Sequence, residues 1–88
     1  MKINNMREEA LIKMGFERYD VSAEESGDFP FHYYSMDFGD VCLISNSNDE
    51  AEKDGWRVEM FDTRSLEFKD EEDLKTLIGI FKRSLKDG

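Results

Sequence analysis

The chain has 88 residues, of which 39% are hydrophobic and 38% charged, so residues 1–88 are expected to form one folded domain with a single core. Residues 17–73 hold 18 of the 21 acidic residues and five of the 12 basic ones, a net charge of −13 within a total of −9. This balance disfavours direct binding to nucleic acid or to an anionic membrane and favours basic protein partners. A single cysteine and the absence of a long apolar run argue against a disulfide framework, a cysteine-rich zinc site and a membrane span, and they suit a cytoplasmic protein.

The first predicted element is a helix in the segment NNMREEALIKMGF. Asn5 is its expected N-cap, with Glu8 completing a capping box. Gly15 suits the left-handed residue that ends a helix, and Phe16 is expected to fold back on Leu11. The apolar positions recur at helical spacing, at Met6, Ala10, Leu11 and Met14.

A strand is predicted next, in FERYDVSA at 16–23, where Tyr19 and Val21 alternate with polar residues. Residues 24–28 are expected to form a polar loop. The following strand should start at or just after Pro30, because proline donates no hydrogen bond to a sheet.

The segment DFPFHYYSMDFGDVCLISN predicts a β-hairpin that turns at Gly39 and Asp40. The turn sets a register that pairs Phe38 with Val41, Met36 with Leu43 and Tyr34 with Ser45. Strand alternation then divides the side chains between two faces. The expected core face holds His32, Tyr34, Met36, Phe38, Val41 and Leu43. The opposite face holds Phe31, Tyr33, Ser35, Asp37, Cys42 and Ile44.

The last third of the chain predicts a connection at 45–55, a strand at 56–62, a short extension at 65–68 and a second helix from Asp70 as N-cap. The apolar face of this helix comprises Leu74, Leu77, Ile78, Phe81 and Leu85, and its last turn is basic, with Lys82, Arg83 and Lys86. Gly79 is expected to let the helix approach the sheet closely. The predicted fold is therefore α+β, in the order α-β-β-β-β-α, with a four-stranded antiparallel sheet and two helices.

No catalytic residue, metal ligand or cofactor site is predicted. Cys42 and His32 point to opposite faces of the hairpin, so they do not form a nucleophile and base. The acidic stretch that begins at Glu50 matches the first half of a calcium loop. Phe61 stands where that loop needs a bidentate glutamate.

The face opposite the core is the candidate binding surface. Its expected apolar residues are Phe31, Tyr33, Ile44, Cys42 and Phe61, beside Arg57 and Glu59. Apolar patches bordered by charge often mark protein contacts. The alternative is that a helix covers this face and makes it core, and periodicity leaves both interpretations open.

Acidic stretches such as NDEAEKD and DEED surround strands such as FHYYSMDF. In size, charge and helix-plus-sheet organisation the whole chain resembles small acidic accessory proteins of phages and other mobile elements, among them anti-CRISPR and nuclease-immunity proteins. The resemblance implies an inhibitor that binds a nucleic-acid-processing protein. It assigns no role to any particular residue.

The favoured hypothesis is a non-catalytic module that binds a basic protein, as an inhibitor or nucleic-acid mimic. The residues expected to attract the partner are Asp49, Glu50, Glu52 and Asp54, and those expected to anchor it are Phe31, Tyr33 and Ile44. A second hypothesis is a self-associating accessory protein, in which the exposed sheet face or an edge strand forms a homodimer. A third is a small enzyme without a recognisable motif.

Overall fold

The structure, a computed structural model that describes residues 6–61, 63 and 65–85, contains a five-stranded antiparallel sheet in which each strand lies beside its sequence neighbour. The strands are β1 (Glu17–Val21), β2 (Phe31–Phe38), β3 (Val41–Ser45), β4 (Val58–Met60) and β5 (Glu67–Phe68). The helices of the described chain are α1 (Glu8–Met14), α2 (Ala23–Ser26), α3 (Asn48–Asp54) and α4 (Glu71–Ser84). The mixed helix-and-strand class and the antiparallel sheet are confirmed.

The predicted numbers of four strands and two helices are wrong. α2 replaces the polar loop expected at 24–28, because Ser22 and Glu25 form a reciprocal capping box. α3 occupies the connection expected at 45–55, and the extension at 65–68 is a fifth strand that pairs with β4.

The central hairpin is built as its sequence predicts. β2 begins directly after Pro30, and the register pairs Phe38 with Val41 and Met36 with Leu43. The turn residue Gly39 has a φ of 60°, a conformation that favours glycine. The predicted division of the hairpin into two faces therefore holds.

The two ends of α1 differ in how well they were predicted. At the C-terminal end, Gly15 is left-handed with a φ of 105°, and the Phe16 N–H donates to the Leu11 carbonyl at 3.1 Å, as expected. At the N-terminal end, Arg7 is the N-cap, and the predicted cap Asn5 lies outside the described residues. The Glu8 carboxylate binds side chains of β2 instead of closing a capping box.

The core lies on one side of the sheet, where α1 and α4 both pack; we call this side the inner face. Its buried apolar side chains are Met6, Ala10, Leu11, Phe16, Tyr34, Phe38, Leu43, Trp56, Val58, Leu74 and Ile78. α4 starts at its predicted cap, since the Asp70 carboxylate accepts from the backbone N–H groups of Glu72 and Asp73 at 2.8 and 3.3 Å. Leu85, expected on its apolar face, follows the helix and is exposed. Asp62 and Lys86, within the predicted strand and helix, lie outside the described residues.

The prediction for Gly79 is wrong. Gly79 is exposed, and a Cβ built on it would meet no described atom within 4 Å. It therefore faces away from the sheet, and no packing within the described part of the chain accounts for a glycine there. A glycine inside a helix costs about 1 kcal/mol relative to alanine.

Candidate functional site

The side of the sheet opposite α1 and α4, which we call the outer face, is left open in the described part of the chain. Strand alternation places Phe31, Tyr33 and Ile44 there, and all three remain partly exposed. Their neighbours on the inner face, Tyr34 and Leu43, are fully buried. Of the two interpretations that periodicity left open, the structure thus favours a surface over a helix-covered core.

An apolar patch, formed by Tyr19, Phe31, Tyr33 and Ile44, occupies part of this outer face. Pairing of β1 with β2 sets Tyr19 opposite Tyr33. Their rings stack with centroids 5.6 Å apart and planes inclined by 20°. Stacking of this kind orients both rings, and Tyr19 remains 40% exposed.

A charged group, the Arg57 cluster of Arg57, Glu50, Glu59 and Glu67, lies beside the apolar patch. The Arg57 guanidinium is 3.3 Å from the Glu67 carboxylate, 3.5 Å from that of Glu50 and 4.0 Å from that of Glu59. Glu59 and Glu67 are directly opposite each other on neighbouring strands, where like charges repel. Arg57 offsets that repulsion, and the cluster keeps a net negative charge.

An open concavity of about 420 Å³ joins the apolar patch to the Arg57 cluster. Its polar wall includes Asn46, whose side chain donates to the Gly55 carbonyl and accepts from the Arg57 N–H, both at 3.0 Å. These bonds fix the backbone on both sides of α3. The wall of the concavity beside the Arg57 cluster is therefore fixed by hydrogen bonds to the backbone.

The predicted site residues are only partly brought together. Phe31, Tyr33, Ile44 and Glu50 line the concavity. The other three predicted acids, Asp49, Glu52 and Asp54, lie on α3 but do not line it. Phe61, named as a further apolar member, is 64% exposed and does not line it either.

Neither Tyr19 of the apolar patch nor Glu67 of the Arg57 cluster belongs to the predicted site. Tyr19 was placed on an alternating strand, yet its position opposite Tyr33 depends on the register between β1 and β2. That register follows from the path of residues 22–30, which include α2. Glu67 belongs to a strand of two residues, which is too short to show alternation.

No family model, curated protein or solved structure matches the chain. Within residues 6–61, 63 and 65–85, no three His, Cys, Asp or Glu side chains are grouped so as to hold a metal ion. None of the helices described is both long and apolar enough to cross a membrane.

A second polar group, formed by Glu8, His32 and Tyr34, lies at the junction of α1 and β2. The Glu8 carboxylate accepts from the Tyr34 hydroxyl at 2.5 Å and lies 2.6 Å from His32 Nε2. Burial alone would raise the pKa of Glu8, but the hydrogen bonds from Tyr34 and His32 outweigh it and lower the pKa. Burial and then the Glu8 carboxylate raise the pKa of Tyr34 to about 12. Because Tyr34 is fully buried, these contacts fasten α1 to the sheet rather than present a reactive group.

Cys42 and His32 are separated by the sheet, as the predicted register requires. Cys42 is paired with Asp37 across the hairpin and belongs to the outer face, whereas His32 binds Glu8 on the inner face. Burial, followed by the hydrogen bond and charge of Asp37, raises the pKa of the Cys42 thiol. A raised pKa reduces the thiolate fraction on which nucleophilic attack depends.

Proposed function

We propose that the chain is a non-catalytic protein-binding module that engages a basic surface of a partner through the outer face. The observation that supports this most directly is the uncovered apolar patch beside the negatively charged Arg57 cluster. Exposed apolar patches with a charged border are typical of protein interaction sites.

The two parts of the outer face suit different steps of association. Tyrosine and phenylalanine rings provide large contact areas with few rotatable bonds, so Tyr19, Phe31 and Tyr33 are suited to anchor a partner. Carboxylates in the Arg57 cluster and on α3 attract a basic surface before contact. Affinity should therefore depend on the rings, and the association rate should depend on salt.

A more specific proposal is that the partner processes nucleic acid and that the chain occupies its nucleic-acid groove. The net charge of −13 across residues 17–73 supports it, because a basic groove built for phosphates also attracts closely spaced carboxylates. A single-stranded oligonucleotide should then displace the chain from a purified partner. A ternary complex of partner, oligonucleotide and chain would contradict the more specific proposal and leave the basic-partner proposal standing.

The binding proposal is tested by affinity capture with four immobilised baits, followed by identification of the captured proteins. The baits are the wild type, Tyr33→Ala, Glu50→Lys and a control, Glu9→Lys, which makes the same charge change on α1. Wild type and control should capture the same basic protein at low salt, and Tyr33→Ala and Glu50→Lys should lose it. If the amount of captured protein changes neither with salt nor in Tyr33→Ala and Glu50→Lys, the binding proposal is wrong.

The self-association hypothesis is distinguished by light scattering on the same four proteins. A wild-type mass that stays monomeric as concentration rises argues for a foreign partner. A dimer that dissociates in Tyr33→Ala would show that the outer face binds a second copy instead.

A further inference from the structure

A groove runs between α1 and α4 on the helical side of the molecule, away from the outer face. Its volume is about 430 Å³, and its floor is formed by Ala10, Met14 and Ile78. Ala10 and Ile78 also belong to the core, so the floor is continuous with the packed interior. At one end, Arg7 binds the Glu71 carboxylate with two side-chain nitrogens, at 3.0 and 3.2 Å, and joins the two helices.

The border of this groove is basic, in contrast to the chain as a whole. Lys13 comes from α1, and Lys75 and Lys82 come from α4; Glu71 is the one acidic residue of the lining, and Arg7 pairs with it. In the described part of the chain, no carboxylate pairs with Lys13 or Lys82. Lys75 is 3.7 Å from Glu72, but both side chains are largely exposed, so that pair is weak. Acidic residues outnumber basic ones by 21 to 12, and yet this groove presents two lysines that have no carboxylate partner among the described residues.

Gly79 lines the same groove at the middle of α4. Space for a side chain is free there, since a Cβ would meet no described atom within 4 Å. A glycine exposes its backbone and allows another chain to approach closely. An approaching partner would therefore explain a glycine for which packing among the described residues gives no reason.

We propose that this groove binds an acidic amphipathic helix of a partner protein. The floor suits the apolar face of such a helix, the lysines suit its carboxylates, and Gly79 admits its backbone. Helices commonly bind other proteins in this way, with apolar residues in a groove between two helices. The proposal does not depend on the function proposed for the outer face, which lies on the other side of the sheet.

The probe is a fluorescent synthetic peptide of about 18 residues, long enough to form a helix, with leucines at helical spacing and glutamates elsewhere. Two comparison peptides are a scrambled sequence of the same composition and polyglutamate of the same length. Binding is followed by fluorescence anisotropy at about 0.15 M salt, where the Debye length of about 8 Å screens the distant acidic residues. The amphipathic peptide should bind at least about tenfold more tightly than either comparison peptide.

Two variants locate the binding site. The double variant Lys75→Glu, Lys82→Glu should lower the affinity for the amphipathic peptide about tenfold. The control double variant Lys53→Glu, Lys69→Glu makes the same change in charge elsewhere and should leave that affinity unchanged. Gly79→Leu leaves the charge alone and should also weaken binding about tenfold by filling the groove. Circular dichroism confirms that each variant is folded.

Equal binding of polyglutamate and the amphipathic peptide, or a normal affinity in Gly79→Leu, would overturn the proposal. A wild-type dimer that Gly79→Leu dissociates would also overturn it, because the occupant would then be a second copy. Tyr33→Ala should bind the peptide with the wild-type affinity. The groove proposal and the outer-face proposal can therefore fail independently of each other.

Discussion

The inner and outer faces of the sheet are built from the same strands but differ in what lies against them. Leu43 and Ile44 are consecutive in β3, and yet Leu43 is 0% exposed beneath the helices while Ile44 lies in the open concavity. Tyr34 and Tyr33 show the same contrast in β2. Residue type therefore does not separate core from surface here; the position of the helices does.

The contrast suggests that the inner face serves stability and that the outer face serves the proposed binding. Burial on the inner face stabilises the fold, because apolar area removed from water is the main favourable contribution to folding. The outer face leaves comparable side chains partly hydrated, and under the proposed function that area contacts the partner. Substitutions in adjacent residues can therefore separate stability from binding.

The largest effect is expected for Leu43→Ala. Loss of a fully buried side chain and the resulting cavity should lower the free energy of unfolding by about 2–5 kcal/mol. Ile44→Ala is the matched control and should cost about 1 kcal/mol or less, since part of its side chain is already hydrated. Urea denaturation of both variants measures the difference. Similar losses would show that something covers the outer face in solution.

Tyr34→Phe should have the next largest effect. It removes the hydroxyl that donates to Glu8 and leaves the carboxylate with one fewer partner at a partly buried site, at a cost of about 1–3 kcal/mol. Tyr33→Phe removes the same atom from the outer face and should change stability by less than about 0.5 kcal/mol. Equal effects would mean that the Glu8 contact does not hold α1 to the sheet.

The cost of Tyr34→Phe should also depend on pH. The hydrogen bond from Tyr34 helps to lower the pKa of Glu8 below its ordinary value of 4.5. A lowered folded-state pKa gives stability that is present above the ordinary value and is lost as pH falls through the folded value. The difference between wild type and Tyr34→Phe should therefore be largest near neutral pH and shrink below about pH 4.5. A difference that stays constant over that range would argue against the Glu8 contact.

Much of the fold could be predicted because strong local signals agree with one another. Gly39, the alternation around it and the buried faces of β2 and β3 all specify one register. The start of α4 is similarly marked by Asp70 and the acidic turn after it. Two short helices were missed although each begins with the spacing of a capping box, Ser22 with Glu25 and Ser47 with Glu50. Their few apolar residues produce no helical period, and their many charged residues are typical of loops.

The candidate site was harder to predict because it depends on contacts between elements. Alternation placed Phe31, Tyr33 and Ile44 on one face, but it could not tell whether a helix would cover them. Glu8 shows the same limit at a single residue. Its spacing from Asn5 indicates a cap, whereas tertiary contacts with His32 and Tyr34 use its carboxylate.

Gly79→Ala should stabilise the protein by about 1 kcal/mol, because alanine suits a helix interior better and its Cβ meets no described atom. Thermal denaturation should show a higher midpoint than that of the wild type. Gly15→Ala is the contrasting control and should destabilise, because Gly15 is left-handed with a φ of 105°. A loss of stability in Gly79→Ala would indicate a close contact around the helix that the folded chain does not show.

Arg57→Gln should have the smallest effect on stability, and it should change stability and partner affinity in opposite directions. Without the guanidinium, Glu59 and Glu67 repel each other across neighbouring strands, which should lower the free energy of unfolding by less than about 1 kcal/mol. This loss should vanish near 1 M salt, because the Debye length there is only about 3 Å. Lys75→Gln is the control, since both side chains of its ion pair with Glu72 are largely exposed, and it should change stability little at any salt. The same substitution makes the outer face more negative, so it should bind a basic partner more tightly while folding less stably. If affinity falls together with stability, Arg57 itself contacts the partner, and the charge of the surface is not what attracts it.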